Sequence, residues 1–278
     1  MGIIRKLPFV NGVKGRVYRT MKKINFIAIL LLVSLVFPSI AQDCNKELSK
    51  SRRVRVNSNQ LRGDLLKVVQ LDIRRKVLLW NEKYNATAAF IHPRVLITAG
   101  HNLTDRFDPV SKIRITVGFT SNNTYLKQQD VYTEMNNNIY VLPSYRENPT
   151  YEDDFGIIIL PDSSLYKSAR GHFILTPYVP SRPPKALFLS GYPDPVTGIK
   201  LWTDKTNNFF YTPDLLRYDF FTVEGSSGSP VYTGMNQLVA IHTGGFEERN
   251  VCNIGTPITA KMKSQISQWC RRHGIILQ

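Results

Sequence analysis

The 278-residue sequence predicts an all-β chain, arranged as barrels or a sandwich and closed by one C-terminal helix. Three observations point there. From Leu65 onwards, apolar residues come in runs of four to seven, rich in Val, Ile, Phe and Tyr and separated by turn residues. No segment before residue 258 keeps a helical period for three turns. Sixteen Pro, 17 Gly and 27 Phe plus Tyr suit strands and turns better than a bundle of helices.

In chain order the runs are Leu65–Leu71, Ala88–Ile91, Val95–Thr98, Ile113–Phe119, Ile139–Leu142, Phe155–Leu160, Ala186–Ser190, Pro230–Thr233 and Leu238–His242, each read as a strand. The last segment differs. Met262, Ile266, Trp269 and Cys270 fall on one helical face, and Gly274 supplies a stop. This helix reads as a packing element that closes the fold. There is no internal repeat and no low-complexity tract.

The N-terminus carries an address. Lys22 and Lys23 precede the 14-residue stretch Ile24–Phe37, and Ser39-Ile40-Ala41 puts small residues at −3 and −1 before Gln42. That is the three-part pattern of a secretory signal peptide. The stretch is short of the ~20 apolar residues a membrane span needs, so no stable membrane anchor is expected after cleavage. Residues 1–41 therefore read as a signal with an upstream extension, and a mature chain of about 237 residues would be secreted, extracellular or periplasmic. Residues 42–63, with Arg52-Arg53 at their centre, read as a flexible or pro-like basic segment.

The net charge of +15 suggests nucleic acid until it is located. Residues 1–41 hold seven Lys/Arg and no acid, and residues 42–76 hold ten Lys/Arg and four acids. Residues 77–278 are left with 19 basic and 17 acidic side chains, so the body lacks the basic face that nucleic-acid binding requires. Cys44, Cys252 and Cys270 allow one internal disulfide, with Cys252–Cys270 favoured. Three Cys without CxxC spacing and five scattered His give no zinc pattern. Asn85-Ala-Thr87, Asn102-Leu-Thr104 and Asn122-Asn-Thr124 are glycan-acceptor triplets.

Three places can carry chemistry. Val95–Gly100 is an apolar strand ending in small residues, followed by His101, which can present its imidazole to a cleft. Glu152-Asp153-Asp154 abuts the run Phe155–Leu160, so Asp154 at the mouth of a buried strand can orient a His. Gly225-Ser226-Ser227-Gly228-Ser229-Pro230 makes a tight turn that exposes a hydroxyl and lets backbone N–H groups converge, as an oxyanion site requires. It is not the G-x-S-x-G elbow, because Ser229 occupies the last Gly position.

His101 in Thr98-Ala-Gly-His, Asp154 in Asp-Phe-Gly-Ile and Ser227 in Gly-Ser-Ser-Gly-Ser-Pro occur in that order, 53 and 73 residues apart. The set resembles the chymotrypsin-fold serine peptidases. Within that superfamily, Ser190–Pro193, Tyr218–Pro230 and Ile241–Gly245 are similar to the glutamyl endopeptidases, and the likeness covers roughly residues 80–272. It implies two Greek-key, six-stranded β-barrels packed face to face with a C-terminal helix. Residues 64–165 would carry His and Asp, and residues 166–278 would carry Ser. It further implies Ser227 as nucleophile, His101 as general base and Asp154 as its orienting acid, with Gly225 and Ser227 N–H groups as the oxyanion hole.

By the same resemblance, Thr222 and His242 would contact a substrate Glu carboxylate, best with His242 protonated, and Thr243 and Gly244 would line the edge that pairs with substrate. Polypeptide substrates, no cofactor, no metal and a monomer follow, with cleavage after Glu or Asp. Ser226 stands where trypsin-like members have the Asp that pairs with a freed N-terminus, so activation of that kind is not expected. Cleavage after Arg53 would make Val54 the mature N-terminus. The alternative reading is a catalytically silent binding module on the same fold.

Overall fold

Strand β2 (Val68–Val77) pairs antiparallel along its whole length with β3 (Trp80–His92), and this ladder is the spine of the first sheet. Around it lie β4 (Val95–Thr98), β5 (Val110–Val117), β6 (Lys127–Tyr132), β7 (Ile139–Val141) and β8 (Gly156–Ile159). The order is β6-β5-β2-β3-β4-β8-β7. The computed structural model describes residues 52–277 apart from 78–79, 105–109, 121–123, 134–137, 180–181, 194–198, 213 and 246–251. The signal-peptide reading of residues 1–41, Cys44 and the triplet at Asn122 lie outside the described residues.

Alternation explains the first core. Val69, Leu71 and Ile73 of β2 point inward with Leu96, Ile113, Ile115 and Ile158. β4 and β8 are buried on both faces, which is why each reads as an unbroken apolar run. Their other faces, Val95, Ile97, Ile157 and Ile159, join a second cluster shared with the rest of the chain.

The second sheet contains β9 (Ile174–Leu175), β10 (Leu187–Gly191), β11 (Trp202–Thr206), β12 (Phe209–Tyr211), β13 (Leu216–Tyr218), β14 (Pro230–Tyr232), β15 (Gln237–Gly244) and β16 (Asn253–Pro257). Its path is β1-β11-β10-β14-β15-β16-β13-β12, with β9 parallel to β15 and β1 being Val54–Arg55. The chain is thus two curled antiparallel sheets with a C-terminal helix, the two-barrel plan the motifs implied. Among the described residues the sheets hold seven and nine strands rather than six each, the two-residue β1 and β9 making up part of the surplus.

Short helices α1 (Pro143–Glu147) and α2 (Ser164–Ala169) interrupt the connections. The division read between residues 165 and 166 falls inside α2, whose Leu165 and Ala169 pack in the first core. Of residues 42–63, read from sequence as flexible or pro-like, residues 52–56 run along the second sheet. Val54 pairs with Thr203 and Arg55 with Trp202, and Arg52 Nη2 reaches the buried Asp219 carboxylate at 2.9 Å. The Arg53 guanidinium lies 4.6 Å from the Phe221 ring centre and 5.0 Å from that of Trp202.

Helix α3 (Ala260–Arg271) starts at Thr259, whose hydroxyl accepts a hydrogen bond from the Met262 amide at 3.0 Å. It ends near Gly274, at φ +67°. Met262, Ile266, Trp269 and Cys270 are all buried. Trp269 stacks on Tyr140 of β7 at 5.6 Å and meets Phe155 at 5.9 Å, so the helix that follows the second sheet docks on the first. The favoured bridge does not form: Cys270 is a free thiol and Cys252 carries a disulfide that does not involve it. Cys270 faces the core along α3, and burial pushes its thiol up to about 11.

Because Trp269 ties α3 to β7 and to the residue after Asp154, Trp269→Ala should destabilise the fold by about 3–5 kcal/mol, read as a lower urea midpoint.

Candidate active site

β4 delivers the chain into a 3-10 turn over Gly100–Asn102. Gly100 suits a close approach: a Cβ there would lie 3.1 Å from both Asp154 Oδ1 and the Phe155 amide, a tight contact. The absence of that Cβ lets one carboxylate grip His101 twice. The His101 amide donates to Asp154 Oδ1 at 2.9 Å, and its Nδ1 meets Oδ2 at 2.7 Å. Asp154 is 3% exposed, whereas its neighbour Asp153 is spent on the Ser144 hydroxyl at 3.0 Å. A buried carboxylate on Nδ1 keeps the hydrogen there and leaves Nε2 as the acceptor.

Other groups hold the same turn. Arg75 Nη2 donates to the His101 carbonyl at 2.5 Å, and the Tyr84 hydroxyl donates to the Asn102 carbonyl at 2.7 Å. The buried Tyr145 phenol hydrogen-bonds Asp154, and burial first, then that carboxylate, push it far above its ordinary value.

On the other sheet, the turn before β14 can be accounted for peptide by peptide. The Ser226 amide donates to the Val223 carbonyl at 3.0 Å, Ser229 to Ser226 at 3.0 Å, Gly228 to His242 at 2.8 Å, and His242 to Ser229 at 2.9 Å. The Gly225 carbonyl accepts from Thr87 Oγ1 at 3.0 Å. The Ser227 carbonyl accepts twice, from the Thr87 amide at 2.9 Å and from Asn102 Nδ2 at 3.1 Å. Among the described residues, the amides of Gly225 and Ser227 donate to no protein group. These two donors are left for a ligand. Gly225, Ser227 and His101 line one cleft of about 450 Å³, together with Tyr84, Asn85, Asn102 and Glu224.

Thr87 and Asn102 are the residues that reading the sequence missed as site components. Thr87 Oγ1, besides holding Gly225, accepts from the Tyr192 amide at 2.8 Å. Thr98 Oγ1 donates to the Thr87 carbonyl at 2.7 Å and accepts from Asn102 Nδ2 at 2.9 Å. Gly228 completes the fit. Its φ of +84° suits glycine, and a Cβ there would meet Thr87 O and Thr98 Oγ1 at 2.1 Å. Asn102 and Asn85 are 2% and 7% exposed, and Asn85 Nδ2 donates to the Tyr192 carbonyl at 2.5 Å. Both glycan triplets are therefore closed in the folded chain.

The positions assigned to substrate lie on or beside β15. His242 is buried, and its Nδ1 meets the Tyr218 hydroxyl at 2.8 Å, while that hydroxyl donates to the Ile254 carbonyl at 2.8 Å. Since the phenol has one hydrogen, His242 Nδ1 carries its own. Burial, reinforced by the nearby His101, lowers the imidazole to about 3, so it is neutral rather than protonated in the empty site. Thr222 is half-buried in the segment before the Gly225–Pro230 turn, and Thr243 is 5% exposed. A Cβ on Gly244 would find nothing closer than Tyr151 Cε1 at 3.9 Å, so this edge is open. Ser226 Oγ accepts from the Val223 amide at 3.3 Å, and Ser226 lines a small pocket with Arg53 and Phe221.

Among solved structures, a Glu endopeptidase bound to MPD superposes with a TM-score of 0.66, covering 80% of this chain and 98% of that one at 17% identity. The fold is that of the chymotrypsin-like serine proteases. A thermostable serine protease, AL20, shares this chymotrypsin-like fold at TM-score 0.59 and 11% identity, over 72% of this chain and 94% of that one. So does an inactivated protease paralogue from the scabies mite, at TM-score 0.58 and 15% identity, over 80% of this chain and all of that one. In sequence, the glutamyl endopeptidase of Staphylococcus epidermidis is 38% identical over 61 residues, 22% of each chain. That of Staphylococcus aureus is 33% identical over 57 residues, 20% of this chain and 17% of that one. The match thus spans only about a fifth of these relatives' length, and no family model matches the chain.

His242 sets a pH dependence for the chymotrypsin-like fold. In the native state it stays neutral down to about 3, whereas in the unfolded chain it takes up a proton near its ordinary 6.5. The unfolded state binds more protons between these values, so stability falls as pH drops through that window, by up to about 1.4 kcal/mol per pH unit. Denaturation midpoints measured from pH 7 to 4 should fall less steeply in His242→Gln than in wild type.

Proposed function

We propose that the chain is a secreted serine endopeptidase that hydrolyses peptide bonds through an acyl-enzyme, cleaving after Glu or Asp. One observation carries the activity: the buried Asp154 holds His101 by amide and ring, and the cleft that His101 shares with Ser227 contains two unpaired amides. Ser227 Oγ attacks the scissile carbonyl and passes its proton to His101 Nε2. Asp154 holds the tautomer and stabilises the imidazolium that forms. The carbonyl oxygen becomes an oxyanion at the Gly225 and Ser227 amides, each such donor contributing about 3–4 kcal/mol in comparable sites. His101 then returns the proton to the leaving amine, and water repeats the sequence on the acyl-enzyme. No cofactor enters, and the partner is a polypeptide met by a monomer.

The fold by itself is no warrant, since it also contains an inactivated paralogue. The residues make the case against a silent module. Ser227→Ala should lower kcat/KM by about five to six orders of magnitude, and only the wild type should be labelled by a fluorophosphonate. Wild type that neither labels nor cleaves any peptide in a Glu, Asp, Arg and Phe panel would return the silent-module reading.

The acidic preference rests on Thr222 and His242, joined to the glutamyl endopeptidase matches. An imidazole lowered to about 3 cannot offer a charge to an arriving carboxylate unless a proton comes with it. Substrate binding then raises the His242 value, and affinity is lost as pH climbs through the bound-state value. KM for a Glu peptide should therefore rise from pH 5 to 8 by up to about tenfold per unit, while KM for its Gln counterpart stays level. Parallel curves for the two peptides would remove His242 from the pocket. Secretion rests on the leader motif of residues 21–41.

A further inference from the structure

The proposed base and nucleophile stand on different sheets, so something must hold their separation. Two donors from the first sheet's side occupy the carbonyl of Ser227: the Thr87 amide at 2.9 Å and Asn102 Nδ2 at 3.1 Å. The first is backbone and no side-chain change removes it. The second belongs to the residue that follows His101 directly, so one side chain ties the nucleophile's own peptide to the turn that carries the base. Its orientation is fixed by its neighbours. The Ser227 carbonyl can only accept, and Thr98 Oγ1 has already given its hydrogen to the Thr87 carbonyl at 2.7 Å. Both therefore demand the NH2 end of the amide, and its two hydrogens are used, one on each. At 2% exposure, water is no substitute.

We propose that Asn102 is a positioning residue for catalysis, its amide clamping the Ser227 carbonyl to the His101 turn and so setting the reach from Ser227 Oγ to His101 Nε2. This rests on the endopeptidase reading above. The role is separate from that of Asp154, which fixes the imidazole ring, because Asn102 touches the nucleophile's peptide and not the ring. It acts through hydrogen-bond donation, not bulk. Asn102→Leu keeps the branched outline at Cγ, with somewhat more bulk, and removes both donors. Asn102→Asp keeps the shape and turns an acceptor oxygen towards two acceptors. Thr98→Val removes the hydroxyl that orients the amide.

The test measures the fluorophosphonate labelling rate of Ser227 per folded molecule, together with kcat and KM on the best peptide, well below each variant's unfolding temperature. In Asn102→Leu, labelling and kcat should fall by about 10- to 100-fold, the cost of misplacing a reacting group, with KM and the pH midpoint of labelling unchanged. Asn102→Asp should be at least as slow, and Thr98→Val slowed by a smaller factor that does not multiply with that of Asn102→Leu. Asn102→Leu that unfolds earlier yet labels at the wild-type rate would make Asn102 merely structural and overturn the proposal, as would a shifted pH midpoint, which would place its effect on the imidazole. Wild type as inert as Ser227→Ala would remove the endopeptidase reading, and the positioning role with it. Should Asn102→Asp not fold, Asn102→Leu and Thr98→Val decide the matter alone.

Discussion

The Ser227 carbonyl accepting from Thr87 and Asn102 is the contact on which the arrangement of the site depends. Neither sheet alone contains the site: His101 and Asp154 belong to the first, and the Gly225–Pro230 turn belongs to the second. A sheet is stiff within its ladders, but the relative placement of two sheets is only as defined as the bonds that cross between them. Here the crossing bonds are short, buried and saturated. Thr87 contributes its amide and hydroxyl, and Gly228 has no side chain so that it can lie against Thr87 and Thr98. Apolar packing alone would tolerate small slips, whereas a network of paired donors and acceptors has one low-energy register.

Burial also divides the charges. Asp154 keeps its carboxylate inside the fold through two bonds to His101 and one from Tyr145. His242, equally buried, has only a phenol and the backbone for company and stays neutral. The two imidazoles sense each other, and His101 is the second-largest cause of the low value at His242. A proton on the His101 ring therefore disfavours one on His242.

Much of this was legible because local sequence and tertiary role coincide. β4 and β8 are buried on both faces, so both appear as uninterrupted apolar runs, and the two polar groups at their mouths, His101 and Asp154, stand out against them. The α3 face Met262, Ile266, Trp269 and Cys270 was visible for the same reason. β6 was not, because KQQDVY is an edge strand whose side chains pair laterally, Asp130 with Arg114 and Gln128 with Thr116, and leave no apolar signal. Strands β11 to β13 are short and mixed in burial. Asn102 read as a glycan acceptor because its partner is 125 residues away, and no local pattern marks a bond of that span. The favoured Cys252–Cys270 bridge failed because Cys270 is turned into the core on the buried face of α3, where it stays a free thiol.

The closed triplets at Asn85 and Asn102 bear on how the protein can be made. In an oxidising compartment that modifies nascent chains, both asparagines would be offered to the transferase before the sheets meet. A sugar attached then would have to sit where the Tyr192 and Ser227 carbonyls expect an amide, wedging the halves apart. Manufacture in a host without that machinery, or with Thr104 changed to a residue outside the acceptor pattern, spares the clamp its most direct route to chemical damage.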